Sequence, residues 1–506
     1  MGRLCRNISI LILCYLAAST GLLAQTKPEV KADELIGTDR DGKREYLLKG
    51  NVVIRHGDMI LYCDSALQDQ KANTLRTFGQ NRLVQADTIN MTADQIFYDG
   101  NTGTATATGN VILRDPSMTL TAPALDYNRL SGVASYQRGG TIVDSENTLT
   151  SRKAWYYTDS KMFFFKDSVR LDSRANGSKL KADTLQYHTT TKTAYFRGDA
   201  DVTTPDGNMK TDRGTYHTHS RILEIDGRNI IMRDRFVLKA KSIFYNELAK
   251  SARASGNVEL EQQEDSIRVY GERAYYTGQN GQVRVLDEPL MLNWKGGDTL
   301  FLKGDTLLSV QSPDSSEKAL FAWQHVRIFR KDLQAICDSL YYNIKDSVLT
   351  LSGTPMMWSG SYQLNADTIK MYMSGKSLSR MEMIGSAWAI AKDTLGYFNQ
   401  TKGRRMQAYF SNGKIARIDV DGNCESIFHA LEKDSVLVGV NKTVCSNMQF
   451  RFAEGKIKSA SFIGKPTSSF APPKGAGPEA NLLEGFSWKP DRRPQRGLFV
   501  LPTVQP

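Results

Sequence analysis

Along Thr104–Leu113, Ala105, Ala107, Val111 and Leu113 share one parity, while Thr104, Thr106 and Thr108 share the other. Period two over so short a run marks a strand with one small or apolar face. This strand closes a longer unit, Met91–Leu113, that reads as strand, turn at Asp99–Gly103, strand, and a break at Gly109. The apolar pair after the break, Val111/Leu113, recurs as Val52/Ile54, Val169/Leu171 and Val258/Leu260. The first strand of the unit carries a small residue, Ala93, then Asp94, Ile96 and Tyr98. Asp94, Ile96 and Tyr98 share one parity and Met91, Ala93 and Phe97 the other. The pattern therefore leaves open which side faces inward around the small residue.

That frame returns about every thirty residues. It fits Ala122, Leu125, Asp126, Tyr127; Ala182, Asp183, Leu185, Tyr187; Thr211, Asp212, Tyr216; Ala240, Ile243, Tyr245; Gly271, Tyr276; and Cys337, Asp338, Leu340, Tyr342. Ala366, Asp367 and Ile369 continue it with Met371 in the aromatic place. A second landmark keeps step: Gly-Asn-Val at 50–52, 109–111 and 256–258, with looser copies at Gly79, Gly139, Gly198, Gly227, Gly353 and Gly385. A fixed period means that each unit cannot bury its own apolar face and stacks on its neighbours. Asp99-Gly100-Asn101, Asp206-Gly207-Asn208 and Gly278–Gly281 supply turn chemistry between strands. Long helical periodicity is absent. The sequence predicts an all-β chain: an elongated antiparallel β-jelly roll, or solenoid-like stack, of about thirty-residue repeats, longer than the rungs of a parallel β-helix.

The beat falters at Ser309–Lys318, a polar stretch that reads as an inserted loop or hinge, and thins beyond Met383. Gly413–Ile418 and Gly455–Ala460 echo each other as wider terminal repeats. From Pro466 the tail holds eight of fifteen prolines and reads as mostly disordered, with Leu482–Trp488 as a docking patch. At the other end, Arg3 and Arg6, the apolar run Ile8–Leu16 and small residues up to Ala24 form a secretory signal. The expected divisions are thus 1–24 signal peptide, 25–308 first repeats, 319–465 further repeats and a cap, and 466–506 tail. The chain after the signal is expected to be exported and soluble.

Composition changes this picture little. The formal net charge of +11 falls to +9 without Arg3 and Arg6 (11 − 2). A modest basic excess suits an anionic partner or a membrane surface as well as ordinary solubility. No basic cluster with interleaved aromatics marks a nucleic-acid face. Cys63, Cys337, Cys424 and Cys445 follow the signal. Cys63 and Cys337 stand where other repeats have Ala and read as small buried residues. An even count in an exported chain permits disulfides, although a pair would have to reach between distant repeats. The recurrent acids Asp64, Asp94, Asp183, Asp212, Asp338 and Asp367 repeat too regularly for one active site and read as structural. His217 and His219 could place two imidazoles on one side of a strand, but no third metal ligand is apparent. No nucleophile elbow, P-loop or Cys/His dyad is present. The reading assigns no enzyme activity, no cofactor and no metal.

The repeats Ala93-Asp94-Gln95-Ile96-Phe97-Tyr98 with Ala105–Leu113, and Gly50–Ile54 with Asp64, resemble the OstA/LptA family of periplasmic lipopolysaccharide-transport proteins. The resemblance covers roughly Val30 to Arg380, and the long, multi-repeat form is similar to the OstA-like proteins of Bacteroidetes. It implies a twisted jelly roll with an apolar groove that passes lipopolysaccharide across the periplasm by end-to-end stacking. The groove candidates are then Val52, Ile54, Ile96, Tyr98, Val111, Leu113, Val169, Leu171, Val258 and Leu260. Implied partners are lipopolysaccharide, other Lpt-type components joined by strand addition, further copies of the chain, and a nearby outer membrane. The chain exceeds the short bridging members about threefold in repeats and lacks the membrane barrel of the pathway's large outer-membrane partner. A structural or adhesive β-solenoid without lipid cargo is the main alternative. An outer-membrane barrel fits poorly with the charges spread through the repeats.

Overall fold

The computed structural model describes residues 29–502, apart from 41–42, 57–58, 86–88, 175–176, 206, 234, 279–280, 296, 312–317, 376, 412–413, 433–435, 454–455 and 473–480. The proposed signal, 1–24, lies outside the described residues. Regular structure among them is strand throughout, apart from two single-turn 3-10 helices, Pro490–Arg492 and Arg496–Leu498. The chain divides into two compact units, one of residues 1–234 and 240–249, the other of 235–239 and 250–506.

In the first unit, Met59–Asp69, Thr74–Gln85, Ile89–Asp99, Thr104–Arg114 and Met118–Asn128 each pair antiparallel with the next. Short polar side chains close the turns. Asp99 Oδ1 accepts the Asn101 N–H at 2.9 Å, and Asn128 Oδ1 accepts those of Leu130 and Ser131, both at 2.9 Å. The hairpin tips are tied in series: Gly100 N donates to Asn73 O at 2.8 Å, and Arg129 N to Gly103 O at 2.9 Å.

The long strand pairs are interrupted near their middles by β-bulges carried on alternate strands. The register shifts between Lys49 and Val52, Phe78 and Asn81, Thr108 and Val111, Lys166 and Val169, Arg197 and Ala200, and Ser255 and Val258. An extra residue on one strand bends it and lets the ladder resume beyond the corner. The bulge resolves the parity that the sequence leaves open. Ala93 and Ile96 are three residues apart, yet both are buried in one cluster with Leu61, Ala107 and Val111. The bend turns the strand between them and leaves Asp94 exposed at the corner.

The second unit uses the same device, sometimes splitting a strand in two. Ile267–Thr277 pairs with Gln282–Leu286 on one side of Pro289 and with Leu290–Asn293 on the other. Pro289 follows two residues of positive φ, Asp287 and Glu288, and its missing N–H is a reason for the ladder to break there. The core of this unit is rich in methionine, with Met291, Met357, Met371, Met381, Met383, Met406 and Met448 packed among small residues. Unbranched thioethers fill the irregular space that bent strands leave. The polar stretch 309–318 joins strands Thr306–Gln311 and Lys318–Arg330 of this unit, with 312–317 outside the described residues.

The tail departs from the disordered segment that its proline and glycine content predicts. Thr467–Ala471 is a strand paired with Val440–Val444. Residues 481–502 lie on the second unit, with Leu483 and Phe499 fully buried. Most of this stretch has no ladder, so composition misleads. Side chains of the sheet satisfy its backbone instead, as described below.

Candidate functional site

The recurring Asp and Gly meet at many of these corners. Gly109 has φ +75° and Asn110 +46°, so two successive residues are left-handed. A Cβ on Gly109 would overlap Asp94 Oδ2, which lies directly beneath it on the neighbouring strand. Gly109 is required twice, by its backbone conformation and by the close carboxylate. Asn110 tolerates positive φ and donates from Nδ2 to Asp94 Oδ2 at 3.0 Å. Elsewhere the carboxylate takes a backbone donor: Gln80 N to Asp64 at 3.0 Å, and Arg228 N to Asp212 at 2.8 Å. Asp33, Asp183, Asp338 and Asp367 stand in the same way beneath Gly50, Gly198, Gly353 and Gly385. These acids hold corners. The Arg228 guanidinium, and then the Arg228 backbone N–H, keep the Asp212 carboxyl below the ordinary range.

The corner aims apolar residues of both arms at one interior. Two residues before and after Gly109 stand Ala107 and Val111; around Gly198 stand Phe196 and Ala200; around Gly227 stand Ile225 and, as a polar exception hydrogen-bonded to Thr211, Asn229. All six are buried. Across the corner the residue after the bulge faces the small residue of the next strand: Val52 opposite Cys63, Val111 opposite Ala122, and Val169 opposite Ala182.

The groove candidates fall into two groups. Val52, Val111, Val169 and Val258 are 1% exposed and Leu171 2%, with Ile96 and Leu113 also buried. Ile54, Tyr98 and Leu260 are partly exposed. The structure brings Ile96 and Val111 into one cluster with Ile54 at its margin, and Val52 into an adjoining cluster that Ile54 also touches. Val258 and Leu260 belong to the second unit. The repeated tyrosines divide as well: Tyr187 and Tyr216 are buried, whereas Tyr276 is exposed.

His217 ends its strand at a hairpin tip with Nδ1 3.3 Å from Thr193 Oγ1, and His219 is exposed. Among the described residues no group of three or more His, Cys, Asp or Glu is placed to hold a metal ion.

One constellation escapes sequence reasoning. In the second unit the cross-strand register aligns Phe301, Phe329, Gln334, Trp358, Gln363, Ile390 and Gln400 in a single row. Their chain neighbours Leu302, Ile328, Ala335 and Met357 belong to the unit's core, so the row lies on the opposite face. The tail covers it. Gln400 Nε2 donates to Asn481 O at 3.1 Å, and its Oε1 accepts from Leu483 N at 2.9 Å. Gln363 makes the same pair with Ser487 O and Lys489 N, both at 2.8 Å, and Gln334 Oε1 accepts Arg493 Nε at 2.7 Å. The primary amides thus stand in for a partner strand. Between them, Phe398 lies 5.1 Å from Phe486 and 5.4 Å from Trp488, and Phe499 caps Phe301 and Phe329 at 5.8 and 5.9 Å. The sequence signal is faint: three glutamines 29 and 37 residues apart (363 − 334 and 400 − 363). The Leu482–Trp488 docking patch does lie within the covering segment.

Bent antiparallel hairpins that bury apolar clusters in each of the two units define an all-β repeat protein. Residues 29–183 match the family described as OstA-like protein. Among solved structures the chain is similar to LptH of Pseudomonas aeruginosa, described as the LptA-homologous periplasmic component of the lipopolysaccharide transport device. That match has 14% identity and a TM-score of 0.21, and covers 23% of this chain and 93% of the other. A search of the curated proteins found no match.

Proposed function

We propose that the protein is exported to the periplasm and carries lipopolysaccharide there, holding the acyl chains on the apolar interior of its bent hairpins. The observation that supports this reading is the corner geometry. It delivers Ile96, Val111, Leu113, Val169 and Leu171 to the inside, with the buried amides Asn81 and Asn229 taking the valine place in two other repeats. An acyl chain gains about 0.8 kcal/mol per buried methylene. An interior of short aliphatic rows offers that gain at every step and no single deep trap, so cargo can slide. The partly exposed Ile54 and Tyr98 in the first unit, and separately Leu260 in the second, mark where cargo enters each unit, and it reaches the fully buried valines by parting the two arms of a hairpin. Exposed strands at the ends of each unit join other Lpt-type components, or another copy, by strand addition. The chain performs no catalysis in this role.

The test is photo-crosslinking from Val111 or Leu113 in cells. Capture of lipopolysaccharide there supports the reading, and capture only from Thr106, on the other face, overturns it. The near-complete burial of Val52, Val111, Val169 and Val258 favours a second reading, a β scaffold with a filled interior and no cargo. That reading predicts no lipid adduct from either site.

A further inference from the structure

We propose that Cys424 and Cys445 form a structural disulfide across the last pair of long strands. The two residues are direct antiparallel partners in strands Lys414–Glu432 and Val436–Ala453. Such partners stand about 4.5–5.5 Å apart at Cα, inside the roughly 4.4–6.8 Å that a disulfide spans.

The repeat logic shows why this pair is special. Cys424 follows the bulge Gly422-Asn423, the place taken by Val52, Val111, Val169 and Val326 in other repeats. Cys445 holds the small-residue place facing it, filled by Ala122, Ala182, Cys63 and Cys337 elsewhere. Cys63 and Cys337 therefore face valines, whereas Cys424 faces a second thiol. In the reduced form Cys424 Sγ donates to Val420 O at 3.3 Å and Cys445 Sγ to Asn447 O at 3.1 Å. Rotation about each Cα–Cβ bond redirects the two sulfurs toward each other.

The place also needs a link. Beyond it, Thr467–Ala471 buries no side chain, and Val436, Val438, Ile463 and Phe470 are exposed. Packing that holds the earlier hairpins is scarce here, and a crosslink closes the loop between the two strands. In the reaction a thiolate of the pair attacks the disulfide of a thiol–disulfide oxidant. The partner thiolate then displaces the mixed disulfide. Two protons leave the cysteines, two electrons pass to the oxidant, and the oxidant departs as two thiols. Burial pushes the Cys424 thiol up to about 11, with Cys445 beside it adding to the rise. The buried thiol is therefore a poor nucleophile, and the pair reacts most readily while the corner is open.

The proposal takes its oxidant from the exported location proposed above, and two arms separate the ideas. In the first, the full chain is purified from cells after quenching with N-ethylmaleimide, unfolded, relabelled and digested without reductant. The expected product joins the tryptic peptides that begin at Ile418 and Thr443, 2 Da below the sum of their masses, with Cys63 and Cys337 recovered as thiols. In the second, reduced chain is refolded in a glutathione redox buffer. A link in the second arm alone upholds the pairing and counts against the exported location. Free Cys424 and Cys445 in both arms overturn the proposal. The double variant Cys424→Val/Cys445→Ala restores the pair used by other repeats and should fold. Its denaturation midpoint should fall below that of the parent under oxidising conditions and match it under reducing ones. Equal midpoints under both conditions would also overturn the proposal.

Discussion

At the level of single residues, the corner carries the burden. Gly109→Ala should destabilise the fold by about 1–2 kcal/mol for the left-handed backbone alone, and more because Asp94 must move. Asp94→Ala, which deletes the carboxylate that Asn110 bonds, should cost about 1 kcal/mol. The double variant should cost less than the sum, because each change disturbs the same contact. Urea denaturation of the three proteins checks this. Asp212 gives a pH signature. Its folded pKa is depressed, so its stabilisation is fully present above the unfolded value of about 3.9 and is lost as pH falls through the lower folded value. Between about pH 4 and pH 2 the parent should lose more stability than Asp212→Asn, which has no carboxyl to protonate. At this level the sequence was readable: Asp and Gly recur in step, and their period pointed to structure rather than catalysis. Which face Ala93 and Ile96 occupy was not readable. Alternation assumes an unbroken pleat, and the bulge that breaks it lies on the neighbouring strand.

At the level of strands and hairpins, packing across the interior sets stability. Phe165 is fully buried and stacks on Phe163, itself stacked on Tyr156, at centroid distances of 5.7 and 4.2 Å. Phe165→Ala should cost about 3–5 kcal/mol, read as a lower denaturation midpoint. An exposed strand position such as Thr203→Ala should change it little. Strand identity was legible from alternation and turn residues. The opposition of Cys424 and Cys445 was not, because register decides it and these two terminal strands lack the Asp landmark: Ser446 stands beneath Gly464 instead.

At the level of the whole chain, the covering tail is the main correction to the sequence reading. Its ladder partners are side-chain amides, and no local pattern in 481–502 announces them. A chain ending at residue 472 should expose Trp358, Phe301, Phe329 and Phe398 and bind a hydrophobic dye. A synthetic peptide of residues 481–502 added back should suppress that dye signal. Gln363→Ala or Gln400→Ala in the shortened chain should weaken peptide binding about fivefold or more, since each leaves two peptide-bond groups without partners. Unchanged binding would show that the aromatics alone hold the segment.

The serial wiring of the first unit has a kinetic corollary. From Met59 to Asn128 each strand pairs with the one made just before it, so contacts form between segments already close in the chain. Low sequence separation favours rapid assembly. A nascent chain of this design could zip up in the order of its synthesis, each newcomer docking on the edge left by its predecessor. At every moment one raw edge would be open to a stranger, and the next thirty residues would be what closes it.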